Sequence, residues 1–123
     1  MYRVINSLKN AFFGLKYCFF TQRNMVIHAI FGSLIIVTGA AFNLAMIEMI
    51  FLLSAVFLVL VAEAFNTAIE KTIDLYTEER NHLAHIAKDV AAGAVLLTSI
   101  YAVIVGLIIL GPPLWNFISA SLN

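Results

Sequence analysis

Ala62-Glu63-Ala64-Phe65-Asn66-Thr67-Ala68-Ile69-Glu70-Lys71-Thr72-Ile73-Asp74 follows without a break on the apolar run from Met49 to Ala62. On a helix of 100° per residue, Glu63, Asn66, Glu70 and Asp74 fall at about 0°, −60°, −20° and 20°. Three carboxylates and one amide therefore share one narrow stripe, running from an apolar segment toward water. An ionisable side chain in hydrocarbon costs several kcal/mol, so residues of this kind usually mark function. The stripe is where chemistry is expected.

The surroundings of the stripe are those of a membrane protein. The chain has 123 residues, 63% hydrophobic and only 11% charged, with mean hydropathy +0.99. A soluble domain of this size carries about 25% charged residues. One compact integral-membrane domain over residues 1–123 is expected. Net charge is zero, so the total says nothing about acidic partners; no nucleic acid is expected as a ligand. Cys18 is alone, which excludes an intrachain disulfide and predicts a small buried apolar residue. No cleavable signal peptide is expected, because Lys9 and Lys16 interrupt the early apolar residues.

Three spans can be drawn outward from the stripe, over about residues 25–42, 45–76 and 83–110. From Asn24 to Ile47 there is no formal charge, which is long enough to cross about 30 Å of hydrocarbon. The second span continues directly into the polar stripe. The third is apolar from Val90 to Leu110, and Gly111-Pro112-Pro113 is expected to end it. The turn around Phe42-Asn43-Leu44 and the polar stretch Thr77 to His82 are short, which implies antiparallel neighbours. Before the first span, Val4, Leu8, Phe12 and Leu15 recur at helical spacing among Arg3, Lys9, Asn10 and Lys16. That pattern predicts an amphipathic helix over about residues 2–20, lying at the membrane interface or packed on the core.

All seven Lys and Arg residues fall on one side of this scheme: Arg3, Lys9, Lys16, Arg23, Lys71, Arg80 and Lys88. The positive-inside rule makes that side cytoplasmic, with the N-terminus inside and the C-terminus outside. The carboxylate stripe and Lys88-Asp89 share the cytoplasmic half.

Solvated helix ends would account for Asp74, Glu78 and Glu79 as well as a site would. Glu63 is different, because Ala62, Ala64 and Phe65 flank it. A carboxylate in such a setting suits proton abstraction. Glu70 lies two turns on, about 10 Å by helical rise, so a base at one end and a cation site at the other are compatible. Lys88 can form a salt bridge with the cluster or hold a phosphate as a point charge. The small run Ala91-Ala92-Gly93-Ala94 permits close helix approach. Glu79 and His82 have the spacing of a carboxylate–histidine metal motif, but no second copy exists; His82 and His85 are expected as exposed loop residues, and His28 as an interfacial or interhelical hydrogen-bonding residue. No glycine-rich phosphate loop of either common type occurs. From these residues alone, proton transport, cation binding and phosphoryl transfer all remain open.

The stripe resembles the signature E-x-x-N-x-A-I-E-x-x-x-D of the prokaryotic diacylglycerol kinase family. Ala87-Lys88-Asp89-Val90-Ala91-Ala92-Gly93-Ala94-Val95-Leu96 resembles its second signature, at matching separation, and Arg23-Asn24-x-x-Ile27-His28 looks like the entry to the first span in its undecaprenol kinase branch. The resemblance covers about Ser7 to Leu110. It implies an ATP- and Mg²⁺-dependent kinase of a membrane lipid hydroxyl, either diacylglycerol or undecaprenol. It also implies a homotrimer of three-span subunits with an interfacial N-terminal helix and active sites shared between subunits at the cytoplasmic surface. By the same resemblance Glu63 is the catalytic base that meets the lipid substrate, and Glu70 a metal ligand. Asn66 and Asp74 are further polar site residues. Lys88 and Asp89 fall on nucleotide-site positions. Arg3, Asn10, Glu79, Arg80 and Asn81 align with other nucleotide contacts, which Gln22 and Glu70 join through the metal. The chain departs from the family at Gln22, where a second metal-ligand glutamate is usual; an amide oxygen there can coordinate without charge. A proton-coupled carrier using Glu63, or a catalytically impaired member of the family, are the competing expectations.

Overall fold

A computed structural model describes residues 2–76 and 81–122. Four α-helices occur among the described residues: α1 Tyr2–Thr21, α2 Arg23–Ala41, α3 Met46–Tyr76 and α4 His82–Leu122. No strand occurs among the described residues. The helices α2, α3 and α4 are each long and apolar enough to cross a membrane.

Cys18 is the one buried residue of α1, as expected of a lone small apolar side chain. Val4, Leu8, Phe12 and Leu15 are all exposed, so the apolar face of α1 is not covered by the rest of the chain. Such a face suits the membrane interface, not a packed core. Lys9 Nζ lies 6.0 Å from the Phe13 ring and Lys16 Nζ 5.7 Å from the Phe20 ring, one helical turn away in each case. At Gln22 the backbone is extended (φ −106°, ψ 109°), which separates α1 from α2.

The α2–α3 turn follows from its sequence. Asn43 takes a left-handed φ of 50°, a conformation asparagine tolerates better than most residues. Its N–H donates to the carbonyl of Ala40 at 3.1 Å, and the N–H of Leu44 donates to that of Gly39 at 3.2 Å. These two bonds close the end of α2 in a Schellman motif. Glu48 then reaches back, its Oε2 accepting from the Ala45 N–H at 2.8 Å, which caps the start of α3.

Antiparallel packing of α2 on α3 depends on two glycines. A Cβ on Gly32 would lie 2.5 Å from Val56 Cγ1, and one on Gly39 would lie 2.9 Å from Met49 Sδ. The pairs 39–49 and 32–56 are seven residues apart on both helices. One more such step brings Met25 level with Glu63, and three residues further Gln22 is level with Asn66. Met25, Leu52, Ala55 and Val59 form the buried apolar centre.

Helix α3 has 31 residues, so it is about 46 Å long against about 30 Å of hydrocarbon. Its surplus is the polar-striped end. Helix α4 corrects an expectation: it does not stop at Gly111-Pro112-Pro113 but continues through both prolines to Leu122. Proline φ is compatible with a helix, and the loss is confined to two backbone donors and local crowding. The extension is held by an edge-to-face contact between Phe117 and Phe42, with centroids 6.1 Å apart and planes at 73°. Of the small run that opens α4, only Ala91 is buried; nothing lies within 4 Å of a Cβ built on Gly93.

Candidate active site

Glu63, Asn66 and Thr67 are the buried polar side chains among the described residues, and all lie on α3 within little more than a turn. Glu63 retains only 2% of its surface. Thr67 Oγ1 donates to the Glu63 carbonyl at 2.9 Å. Asn66 Nδ2 donates to Glu70 Oε1 at 3.2 Å, while Asn66 Oδ1 is buried without a partner. A buried carbonyl oxygen left unpaired is costly, and in a native site it calls for an explanation such as a ligand or water. Glu70 lies two turns from Glu63 on the same stripe of α3, and His28 stands on the stripe of α2 that meets α3.

Further along the stripe, Asp74 is held from two sides. Lys88 Nζ donates to its Oδ1 at 2.7 Å, and Lys71 Nζ to its Oδ2 at 3.4 Å. Of the two roles open to Lys88, the ion pair is therefore the one formed. Asp89 Oδ2 lies 3.1 Å from His85 Nδ1, one turn earlier on α4. His82 and His85 are exposed as expected, but they belong to the first turns of α4, not to a loop.

The remaining candidates are spread more widely. Asn81 caps α4, its Oδ1 accepting from the N–H groups of Leu83 at 2.9 Å and Ala84 at 3.3 Å. Gln22 is half-buried at the α1–α2 break, and its Nε2 donates to Thr21 Oγ1 at 3.3 Å. Arg3 and Asn10 are exposed on α1 and not tied to the stripe by a hydrogen bond or ion pair. Glu79 and Arg80 lie outside the described residues, as do Thr77 and Glu78.

Among the described residues, no three His, Cys, Asp or Glu side chains gather into a metal cluster. Glu70 carries a carboxylate and Gln22 an amide oxygen whose nitrogen is turned to Thr21, and oxygen donors of these types are those a hard cation takes.

A feature that sequence reasoning missed is a groove of about 850 Å³ between α1 and α3. Ala11, Gly14 and Cys18 line it from α1, and Ala64, Thr67 and Ala68 from α3, with Lys71 and Asp74 also on its wall. Its signal was present as small residues at helical spacing on both helices. Glu63 stands one residue from the α3 wall, and Thr67 belongs both to that wall and to the buried polar trio.

Fold and site together define a class: a small polytopic α-helical membrane protein with an acid–amide site at the polar end of a span, beside an apolar groove. The family model for prokaryotic diacylglycerol kinase matches residues 9–110, and the chain belongs to that family of lipid kinases. It is 45% identical to a diacylglycerol kinase of Synechocystis sp. over 109 residues, which is 88% of this chain and 62% of that relative's length. It is 37% identical to an undecaprenol kinase of Bacillus subtilis over 94 residues, 76% of each chain. With a diacylglycerol kinase of Escherichia coli it shares 30% identity over 108 residues, 88% of each.

Proposed function

We propose that this protein transfers the γ-phosphoryl group of ATP to the hydroxyl of a membrane lipid, diacylglycerol or undecaprenol, at the cytoplasmic face of the bacterial inner (plasma) membrane. The observation that carries this reading is the burial of Glu63 one residue from a mostly apolar groove whose α3 wall includes the buried Thr67 and, toward the polar end, Lys71 and Asp74. Such a groove fits a lipid body with a polar head, which is the form of both acceptors.

In this reading a Glu63 carboxylate oxygen takes the hydroxyl proton as the lipid oxygen attacks the γ-phosphorus. A phosphorus–oxygen bond forms, the bond to the β-phosphate breaks, and ADP leaves. Phosphoryl transfer asks the protein mainly for position and charge neutralisation. Asn66 Oδ1, buried and unpaired, is left to accept from a second donor at the site, such as a water held beside the hydroxyl. Glu70 and Gln22 would hold Mg²⁺, which when bound neutralises phosphate charge. Lys88 exchanges its bond to Asp74 for one to a phosphate oxygen. Asp89, Asn81, Arg3 and Asn10, with Glu79 and Arg80, complete the nucleotide side.

The seven basic residues support a cytoplasmic N-terminus and an external C-terminus. A homotrimer with sites shared between its subunits is part of the same reading. The test is incubation in mixed micelles with Mg²⁺ and γ-labelled ATP, with diacylglycerol and undecaprenol offered in parallel. Label in one lipid supports the kinase and identifies its acceptor. Proton flux in proteoliposomes without ATP consumption would instead support a carrier.

A further inference from the structure

Past Arg23, α2 carries a single ionisable side chain, His28. An ionisable residue inside a span is a functional candidate whose partner should be identifiable. The buried residues of α2 are Met25, Gly32 and Gly39, spaced by seven along the seam that meets α3. His28 is three residues after Met25 and four before Gly32, so it stands on that same stripe. The seam's register sets Met25 level with Glu63 and Gly32 against Val56. His28 therefore lies less than one turn above the level of Glu63. It is half-buried there, on the face of α2 that meets the helix carrying Glu63.

We propose that His28 is a positioning residue for phosphoryl transfer, one that orients the Glu63 carboxylate toward the incoming lipid hydroxyl from across the α2–α3 seam. The inference rests on the lipid-kinase reading, with Glu63 as base. His28 takes no part in the proton balance: the hydroxyl proton passes to Glu63, and the ring nitrogen serves as a polar partner that limits the carboxylate's rotamers. The close packing at Gly32 keeps α2 near enough for a side chain on this stripe to reach α3. A shift of about 1 Å in a catalytic group can cost a hundredfold in rate, so orientation of this kind has a measurable effect.

Variants of this protein test it in micelles with Mg²⁺-ATP and the accepted lipid. His28→Phe keeps a ring but removes the donor; His28→Gln keeps a donor near the position of Nε2. His28→Phe is expected to lower kcat about tenfold with KM for lipid and ATP unchanged, and His28→Gln to recover most of the rate. Adding His28→Phe to Glu63→Gln is expected to cause no further loss, because His28 acts only through Glu63. If Phe and Gln behave alike, or KM rises while kcat holds, the residue is only packing and the inference is overturned. Absence of transfer by the unchanged protein would bring down the kinase reading, and the inference with it. A normal rate in the unchanged protein and in His28→Phe would overturn the inference alone.

Discussion

Lys88 Nζ and Asp74 Oδ1 are 2.7 Å apart, which ties the polar end of α3 to the second turn of α4. Both side chains remain 40% or more exposed. Ion pairs of that kind add little to stability, so removing this one should cost little. Lys88→Met should therefore leave the melting temperature nearly unchanged while raising KM for ATP about tenfold, since the proposed charge-assisted phosphate contact is lost. Asp74→Asn, which frees Lys88, should alter KM for ATP far less. Steady-state kinetics in ATP at saturating lipid separate the two.

Gly32 faces Val56 without space for a methyl group. Gly32→Ala is expected to destabilise the protein by about 1–3 kcal/mol through overpacking. Val56→Ala in the same chain should recover part of that loss, because the clash is with a Val56 methyl. Unfolding in a denaturing detergent, followed by circular dichroism, measures both.

Gly14 belongs to the groove between α1 and α3, where a Cβ would meet nothing within 4 Å. Gly14→Leu should fill part of the groove, raising KM for the lipid and leaving KM for ATP as it was. Equal changes in both would mean that the groove is not the acceptor site.

Gln22 stands at the N-terminus of α2 without a side-chain capping bond. Gln22→Glu adds a carboxylate at the second proposed metal-ligand position. It should lower the Mg²⁺ concentration needed for half-maximal rate. A negative charge at a helix N-terminus also adds about 0.3–1 kcal/mol of stability, so the melting temperature should hold or rise. An unchanged or raised Mg²⁺ requirement would remove Gln22 from the metal site.

Much of this molecule is legible in its residues because the signals are local or periodic. The polar stripe of Glu63, Asn66, Glu70 and Asp74 is a consequence of helical spacing, and Glu63 and Asn66 are indeed buried on it. The turn at Asn43 is written in a residue that tolerates positive φ. The end of α4 was misjudged for the opposite reason. Pro112 and Pro113 carry a strong local signal, whereas Phe117 and Phe42, whose contact holds the continuing helix, are 75 residues apart in sequence. The groove was missed because alanine and glycine on α1 look like ordinary helix filler until α3 is set beside them. His85 and Asp89 are one turn apart, so their pairing could have been read from spacing once both were known to be helical.

The most direct measurement is the rate of label transfer from ATP to lipid by Glu63→Gln beside the unchanged protein, with ATP binding measured on both. The variant keeps the shape and burial of the side chain but cannot accept the hydroxyl proton. A fall in kcat of about a hundredfold or more, with ATP binding retained, is the expected result. Transfer within twofold of the unchanged protein would contradict the role of Glu63 as base and, with it, the mechanism built on the α3 stripe.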